Sequence, residues 1–246
     1  MGKTALVIVD CQNDFMPPDG ALAVPNGDEV LPVIRGMLDK SKWDWDVVVA
    51  TQDYHPPRHI SFASRHGKPV FSDLELTDGR GRHYTQTLWP DHCIQGTKAT
   101  EIVKELRDAF GPWKERMKIA RKAWHPDIEQ YSAFEGYITD ATEPSEPPSE
   151  DTGAKPIEES EMTLYLKSQG VDKLVIVGVA TDFCVCHTNL DGLAAKFNTA
   201  LVAPAVRAVF ADRENGVFER IEQQGGRVIG RGDASGWEAD VRAFAR

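Results

Sequence analysis

The chain has 246 residues, 41% hydrophobic and 27% charged, enough for one well-buried core without requiring a second domain. Its formal net charge of -10 argues against nucleic-acid binding, which wants a basic face, and no stretch approaches the ~18 apolar residues of a membrane span. Met1-Gly2-Lys3 runs straight into apolar residues without a secretory leader pattern, and four cysteines are too few for a disulfide framework, so an intracellular, cytoplasmic protein is expected.

In chain order, residues 5–9 (ALVIV) form the first β-branched apolar run. A helical pattern follows over 28–40, then a run at 47–50 (VVVA), a helix over 100–110 and a weaker run at 117–120. A helix over 159–169 leads to the strongest run, 174–180 (LVIVGVA). A helix over 182–196, a run at 200–203, a helix over 213–224 and a run at 227–229 complete the alternation. Near-continuous apolar strands are buried on both faces, which implies a parallel sheet covered by helices. The expected fold is α/β: one domain with a doubly wound, mainly parallel six-stranded sheet and helices on both faces. Residues 139–160 break the pattern with four prolines and no apolar periodicity, and most of the net negative charge lies there. A mobile, acidic surface insertion is expected.

In open α/β sheets, ligands bind beyond the carboxyl ends of the strands. Asp10 ends the first strand, Asp53 and His55 follow the second, Lys122 the third and Cys184 the fourth. Cys184 is placed about one turn into a helix capped by Thr181 or Asp182, where exposed N–H groups and the positive dipole end lower a thiol's pKa. The same N–H groups suit an oxyanion. A lone cysteine is more often a packing residue; the shared rim reverses that reading for Cys184 but not for Cys186. Asp10 is placed to take the thiol proton and return it to a leaving amine, the alternative being an Asx-turn cap. Lys122 supplies a cation to both, with a solvated lysine in a basic run as the competing reading. Asp53-x-His55 puts alternate side chains on one side of an extended segment. With His92 it makes a two-histidine, one-carboxylate set that accepts zinc, iron or manganese. His59 is left unassigned, and His66, His83, His125 and His187 have no ligand spacing.

These segments resemble the nicotinamidase branch of the isochorismatase-like cysteine hydrolases. The marks are Val9-Asp10-Cys11-Gln12-Asn13-Asp14-Phe15, Thr51-Gln52-Asp53-Tyr54-His55-Pro56, Trp89-Pro90-Asp91-His92-Cys93, Lys122, Tyr131-Ser132-Ala133-Phe134 and Gly178-Val179-Ala180-Thr181-Asp182-Phe183-Cys184-Val185, in family order. The resemblance covers the chain apart from the acidic insertion. It implies a metal-dependent amidohydrolase converting nicotinamide and water to nicotinic acid and ammonia. It also implies Asp10, Lys122 and Cys184 as catalytic triad, the backbone N–H groups of Ala180 and Cys184 as oxyanion hole, and a cis peptide at Val179-Ala180. Phe15, Trp89 and Tyr131 would surround the pyridine ring. Asp53, His55 and His92 would hold one divalent ion, zinc before iron or manganese, with the ring nitrogen on it. Ala123 departs from the family, which often carries glycine after the lysine. The implied partner is the small-molecule substrate, not nucleic acid or membrane, and a homo-oligomer is left open. Two competing readings are a related cysteine amidase for another small amide, pyrazinamide-like or carbamoyl, and a non-catalytic binding module on the same fold. Ammonia release separates them.

Overall fold

In chain order the elements are β1 (Lys3–Val9), α1 (Val30–Met37), β2 (Val47–Asp53), α2 (Ala63–His66), β3 (Asp73–Thr77), β4 (His83–Thr87), α3 (Lys104–Ala109), β5 (Met117–Lys122), β6 (Tyr137–Asp140), α4 (Glu161–Ser168), β7 (Val171–Val179), α5 (Cys186–Ala194), β8 (Asn198–Arg207), α6 (Glu214–Gln223), β9 (Arg227–Ile229) and α7 (Trp237–Ala245). They come from a computed structural model that describes residues 2–141, 144–149 and 155–246.

Period-two burial divides the sheet into two faces. In β1, Leu6 and Ile8 enter one apolar cluster, while Ala5, Val7 and Val9 enter the other, as side chains alternating across a pleat must. In β7, Val175, Val177 and Val179 join the first cluster, and Leu174 and Ile176 the second. Helices α1, α3 and α7 close the first cluster through Ile34, Leu106 and Phe244. Helices α4 and α6 close the second through Met162, Leu166, Phe218 and Ile221. The expected layering of helices on both faces is present.

The sheet order is β6-β5-β2-β1-β7-β8-β9, with every pairing parallel except β5 with β6. From β1 the chain winds one way through β2 and β5, then the other way through β7, β8 and β9. The direction changes between β1 and β7, so a ligand crevice belongs at their carboxyl ends. Gly178 brings these two strands together: a Cβ there would lie 2.0 Å from the Val9 carbonyl oxygen.

The sheet has seven strands rather than six. The extra one, β6, pairs antiparallel along the edge with Ile119 opposite Thr139 and Lys118 opposite Asp140. Lys118 Nζ reaches Asp140 Oδ1 at 2.6 Å. Thr139 and Asp140 therefore belong to the sheet and not to the insertion, and Ser160 caps α4 by accepting the Thr163 amide. Of the remaining insertion, Ser145 is tied back by its amide to Thr139 Oγ1; residues 142, 143 and 150–154 lie outside the described residues. The β3–β4 hairpin and α7 are further elements that the apolar runs did not indicate.

Candidate active site

Three strand ends and one wide turn build the site. Asp10 follows β1 in a left-handed conformation, φ 47°. Asp53 and Lys122 are the last residues of β2 and β5 and stand directly opposite each other in the ladder. After β7 the chain makes a π-helical turn, Thr181–Val185, in which the Ala180 carbonyl accepts the amides of Phe183 and Val185, both at 3.1 Å. This turn holds Cys184 ahead of α5, not within it. The helix caps expected from the sequence are used elsewhere. Thr181 Oγ1 donates to Glu214 Oε1 at 3.0 Å, and the Asp182 carboxylate accepts the amides of Val209 and Phe210, both at 2.9 Å.

Lys122 lies at the centre. Its ammonium is 2.8 Å from Asp10 Oδ2, donates to Asp53 Oδ1, and lies 3.2 Å from Cys184 Sγ. Asp10, Asp53 and Cys184 converge closely enough to hold a cation, and that cation is the lysine. Burial opposes charge on Lys122, but Asp10, Asp53 and Cys184 together hold its pKa well above the usual value. The two carboxylates part company. Burial pushes Asp10 up, with Lys122 opposing, whereas for Asp53 the pull of Lys122, His55 and His92 overcomes burial and holds it well below the usual range. A pair of acids driven apart in this way suits two jobs, one that exchanges a proton and one that stays ionised. The thiol differs from expectation: burial pushes Cys184 well above its usual value, Lys122 only partly offsetting this, so at rest it keeps its proton.

Asp53, His55 and His92 come together, although His92 arrives on a separate loop that the Asp-x-His spacing does not place. Nε2 of His55 and Nε2 of His92 each lie 3.7 Å from Asp53 Oδ2. That is too long for a hydrogen bond and fits the spread of donors at ~2.0–2.2 Å around one ion. His92 Nδ1 donates to the Pro90 carbonyl at 2.8 Å, which turns the Nε2 lone pair toward Asp53. The three residues fit a divalent metal. His59 does not join them: its Nδ1 bonds Ser61 Oγ at 2.8 Å and its Nε2 the Ile128 carbonyl at 2.9 Å. Its ring instead packs 4.3 Å from that of His55.

The aromatic residues split into two groups. Phe15 packs edge-on against His92, 5.4 Å between ring centroids. Trp89 Nε1 donates to the Tyr131 hydroxyl at 3.0 Å, and Gln86 Nε2 donates to the same oxygen at 2.8 Å. The Val179–Ala180 peptide is cis, as the resemblance implied. Ala123 adopts φ 54°, the region glycine favours, and its amide donates to Gln130 Oε1 at 2.8 Å.

Several contributors had no assigned role in the sequence reading. Thr51 Oγ1 donates to Asp10 Oδ1 at 2.5 Å. Gln12 clasps the backbone of Asp53 from both sides, donating to its carbonyl and accepting its amide, each at 2.8 Å. Asp14 accepts the Cys93 amide at 2.7 Å and so fixes the segment carrying His92. Gln12 and Asp14 lie inside the first motif, and their signal was there. Glu129 is buried in an irregular loop with a ligand atom near His55 and His59, and nothing in its neighbours' periodicity marks it.

Comparison with known proteins agrees with this geometry. The isochorismatase domain matches residues 4–117 and 112–233. The nicotinamidase of Acinetobacter baylyi is 38% identical over 206 residues, 83% of this chain and 81% of that protein. The nicotinamidase of Saccharomyces cerevisiae is 31% identical over 223 residues, 89% of this chain and 94% of that protein. Yeast nicotinamidase bound to the inhibitor nicotinaldehyde superimposes with a TM-score of 0.77 at 30% identity, covering 92% of this chain and 98% of that one. The pyrazinamidase of Pyrococcus horikoshii in complex with zinc gives 0.66 at 31% identity, with 92% and 98% covered. On these matches the chain belongs to the isochorismatase family.

Proposed function

We propose that this protein hydrolyses nicotinamide to nicotinic acid and ammonia through a thioester on Cys184. The observation that carries the reading is Lys122, 2.8 Å from Asp10 Oδ2 and 3.2 Å from Cys184 Sγ, beside the Asp53–His55–His92 set. Similarity to nicotinamidases at 31% to 38% identity supports the choice of substrate.

Asp10 takes the proton of the buried thiol, and Sγ attacks the carboxamide carbon to form the C–S bond. Charge then develops on the amide oxygen, and the backbone N–H groups of Ala180 and Cys184 are assigned to receive it. Asp10 returns the proton to the departing nitrogen as the C–N bond breaks and ammonia leaves. It next takes a proton from water, which attacks the thioester and frees nicotinic acid and the thiol. Lys122 holds Asp10 in place and steadies each anion as it forms. Phe15 and Trp89 are assigned to the faces of the pyridine ring, with Tyr131 orienting Trp89 through its hydroxyl. Asp53, His55 and His92 would hold the divalent ion, most naturally zinc, given that donor set and the relative crystallised with zinc. When bound, the ion supplies a Lewis-acid anchor for the ring nitrogen, a matter of orientation and not of activating the thiol.

Among the described residues no helix is long and apolar enough to cross a membrane; the cytoplasmic location is part of the proposal. The test is ammonia release from nicotinamide by the wild type and by Cys184→Ala. The variant should fold and keep its metal while releasing no ammonia, and persistent turnover would overturn the assignment. Pyrazinamide is the second substrate to assay, because one relative is a pyrazinamidase.

A further inference from the structure

Four aromatic side chains close a circuit that leads from the site wall to solvent. Trp89 stands edge-on to Phe183, with ring centroids 4.7 Å apart, and edge-on to Phe71 at 6.0 Å. Phe210 completes the circuit, 6.2 Å from both Phe71 and Phe183. Each comes from a different segment: Phe71 from the loop between α2 and β3, Trp89 from the loop after β4, Phe183 from the turn holding Cys184, and Phe210 from the loop after β8. Trp89 is buried and Phe183 and Phe210 are half-buried, whereas Phe71 is 48% exposed.

Phe71 is held at the surface against its own preferences. Its φ of 63° lies where a bulky side chain is rarely found, and its amide is fixed on the Leu88 carbonyl at 2.6 Å. An exposed apolar ring on strained backbone is unfavourable twice over, and strain of this kind gathers at ligand-handling segments. Phe210 is fixed from the other side. Asp182 accepts its amide at 2.9 Å, and the Arg213 guanidinium lies 4.1 Å from its ring centroid. Two independently anchored loops therefore bring one phenyl ring each to the outer edge of the Trp89 wall.

We propose that Phe71 and Phe210 form the aromatic rim of the ring-binding site and set the largest ring substituent the enzyme accepts. The inference rests on the proposed hydrolysis of nicotinamide. A flat ring carrying a bare carboxamide slides past two phenyl edges, while extra bulk on that ring meets them. The rival way in is a cavity of about 510 Å³ bordered by Tyr131 and Phe183, where Glu129, Glu135, Asp191 and Arg82 also contribute to the lining. Tyr84, Tyr131, Phe183 and His187 line it as well, so substitutions confined to Phe71 and Phe210 separate the two entrances.

Phe71→Gly removes one phenyl and suits the backbone there; Phe210→Ala removes the other. Ammonia release is compared between nicotinamide and a nicotinamide bearing a methyl or bromine on the ring. Each variant's own turnover of nicotinamide serves as its reference, so the readout is a ratio taken within one protein. The ratio of kcat/KM for the substituted over the plain substrate should rise about tenfold. Phe71→Leu, which keeps apolar bulk on the same backbone, should stay near wild type. An unchanged ratio in Phe71→Gly and Phe210→Ala, with wild type active on nicotinamide and the variants folded by thermal unfolding, overturns the rim. A wild type inactive on nicotinamide overturns the functional reading and the rim with it.

Discussion

Thr51 serves both ends of Asp10: its hydroxyl donates to Oδ1 at 2.5 Å and accepts the Asp10 amide at 3.0 Å. Thr51→Val keeps the shape and removes both contacts, leaving a buried acceptor unmatched at a cost of about 1–3 kcal/mol. If that loss falls on the reactive geometry, kcat/KM drops by roughly ten- to a hundredfold. The carboxylate also loses a bond that favours its charged form, so the acid limb of the pH–rate profile should move to higher pH. Thr51→Ser should restore both. Steady-state kinetics across pH, set beside thermal unfolding, checks this.

Lys122 and Asp10 are both fully buried, and the lysine also serves Asp53. Lys122→Met therefore strands two carboxylates. Breaking a buried pair by removing one partner costs about 3–5 kcal/mol, and urea unfolding should register a loss of that size. Ammonia release should vanish. Adding Asp10→Asn should recover part of the stability and none of the activity, the outcome expected of residues that act as one unit.

Burial pushes Glu129 up to about 7 from an ordinary 4.5, with the Asp53 charge adding to the rise. Between those values the folded protein keeps a proton that the unfolded chain has released. Stability should therefore fall as pH climbs through this window, by up to about 3 kcal/mol once both states are ionised. In metal-free protein, Glu129→Gln should flatten the slope. Urea midpoints at about pH 5 and about pH 8 test the sign; a midpoint that rises with pH in wild type, unchanged in the variant, rejects it.

Chelation should stop ammonia release, and returning zinc, iron or manganese should show which ion serves. Asp53→Ala, His55→Ala and His92→Ala should each lower metal content by mass spectrometry while the chain stays folded. His59→Ala should retain the ion, because both His59 ring nitrogens are already engaged by Ser61 and Ile128. Loss of metal in that variant comparable to His92→Ala would place His59 in the ligand set.

What the sequence disclosed follows from what each signal depends on. The buried runs of β1, β2 and β7 announce themselves because burial on both faces demands continuous apolar residues. Edge strand β6 escaped because Tyr137–Asp140 is short, half-polar and followed by prolines, and only its pairing with β5 makes it a strand. Asp10, Asp53, Lys122 and Cys184 were legible as residues at or just beyond strand ends. Their protonation was not: the thiol's rise reflects burial by residues distant in sequence, which Lys122 only partly offsets. Thr51 lies within the second motif but reads as strand until Asp10 is placed beside it, and Glu129 acquires meaning only when its loop meets the one carrying His55 and His59.

Lys122 divides one ammonium between the aspartate assigned to the thiol and the aspartate assigned to the ion. The two halves of the site are thus wired through a single proton-bearing nitrogen. Charge gained or lost at Asp53 is expected to be felt at Cys184, so the labelling rate of one thiol by a small alkylating reagent becomes a gauge of what the histidines hold. A covalent inhibitor would then discriminate loaded enzyme from stripped enzyme without touching either histidine.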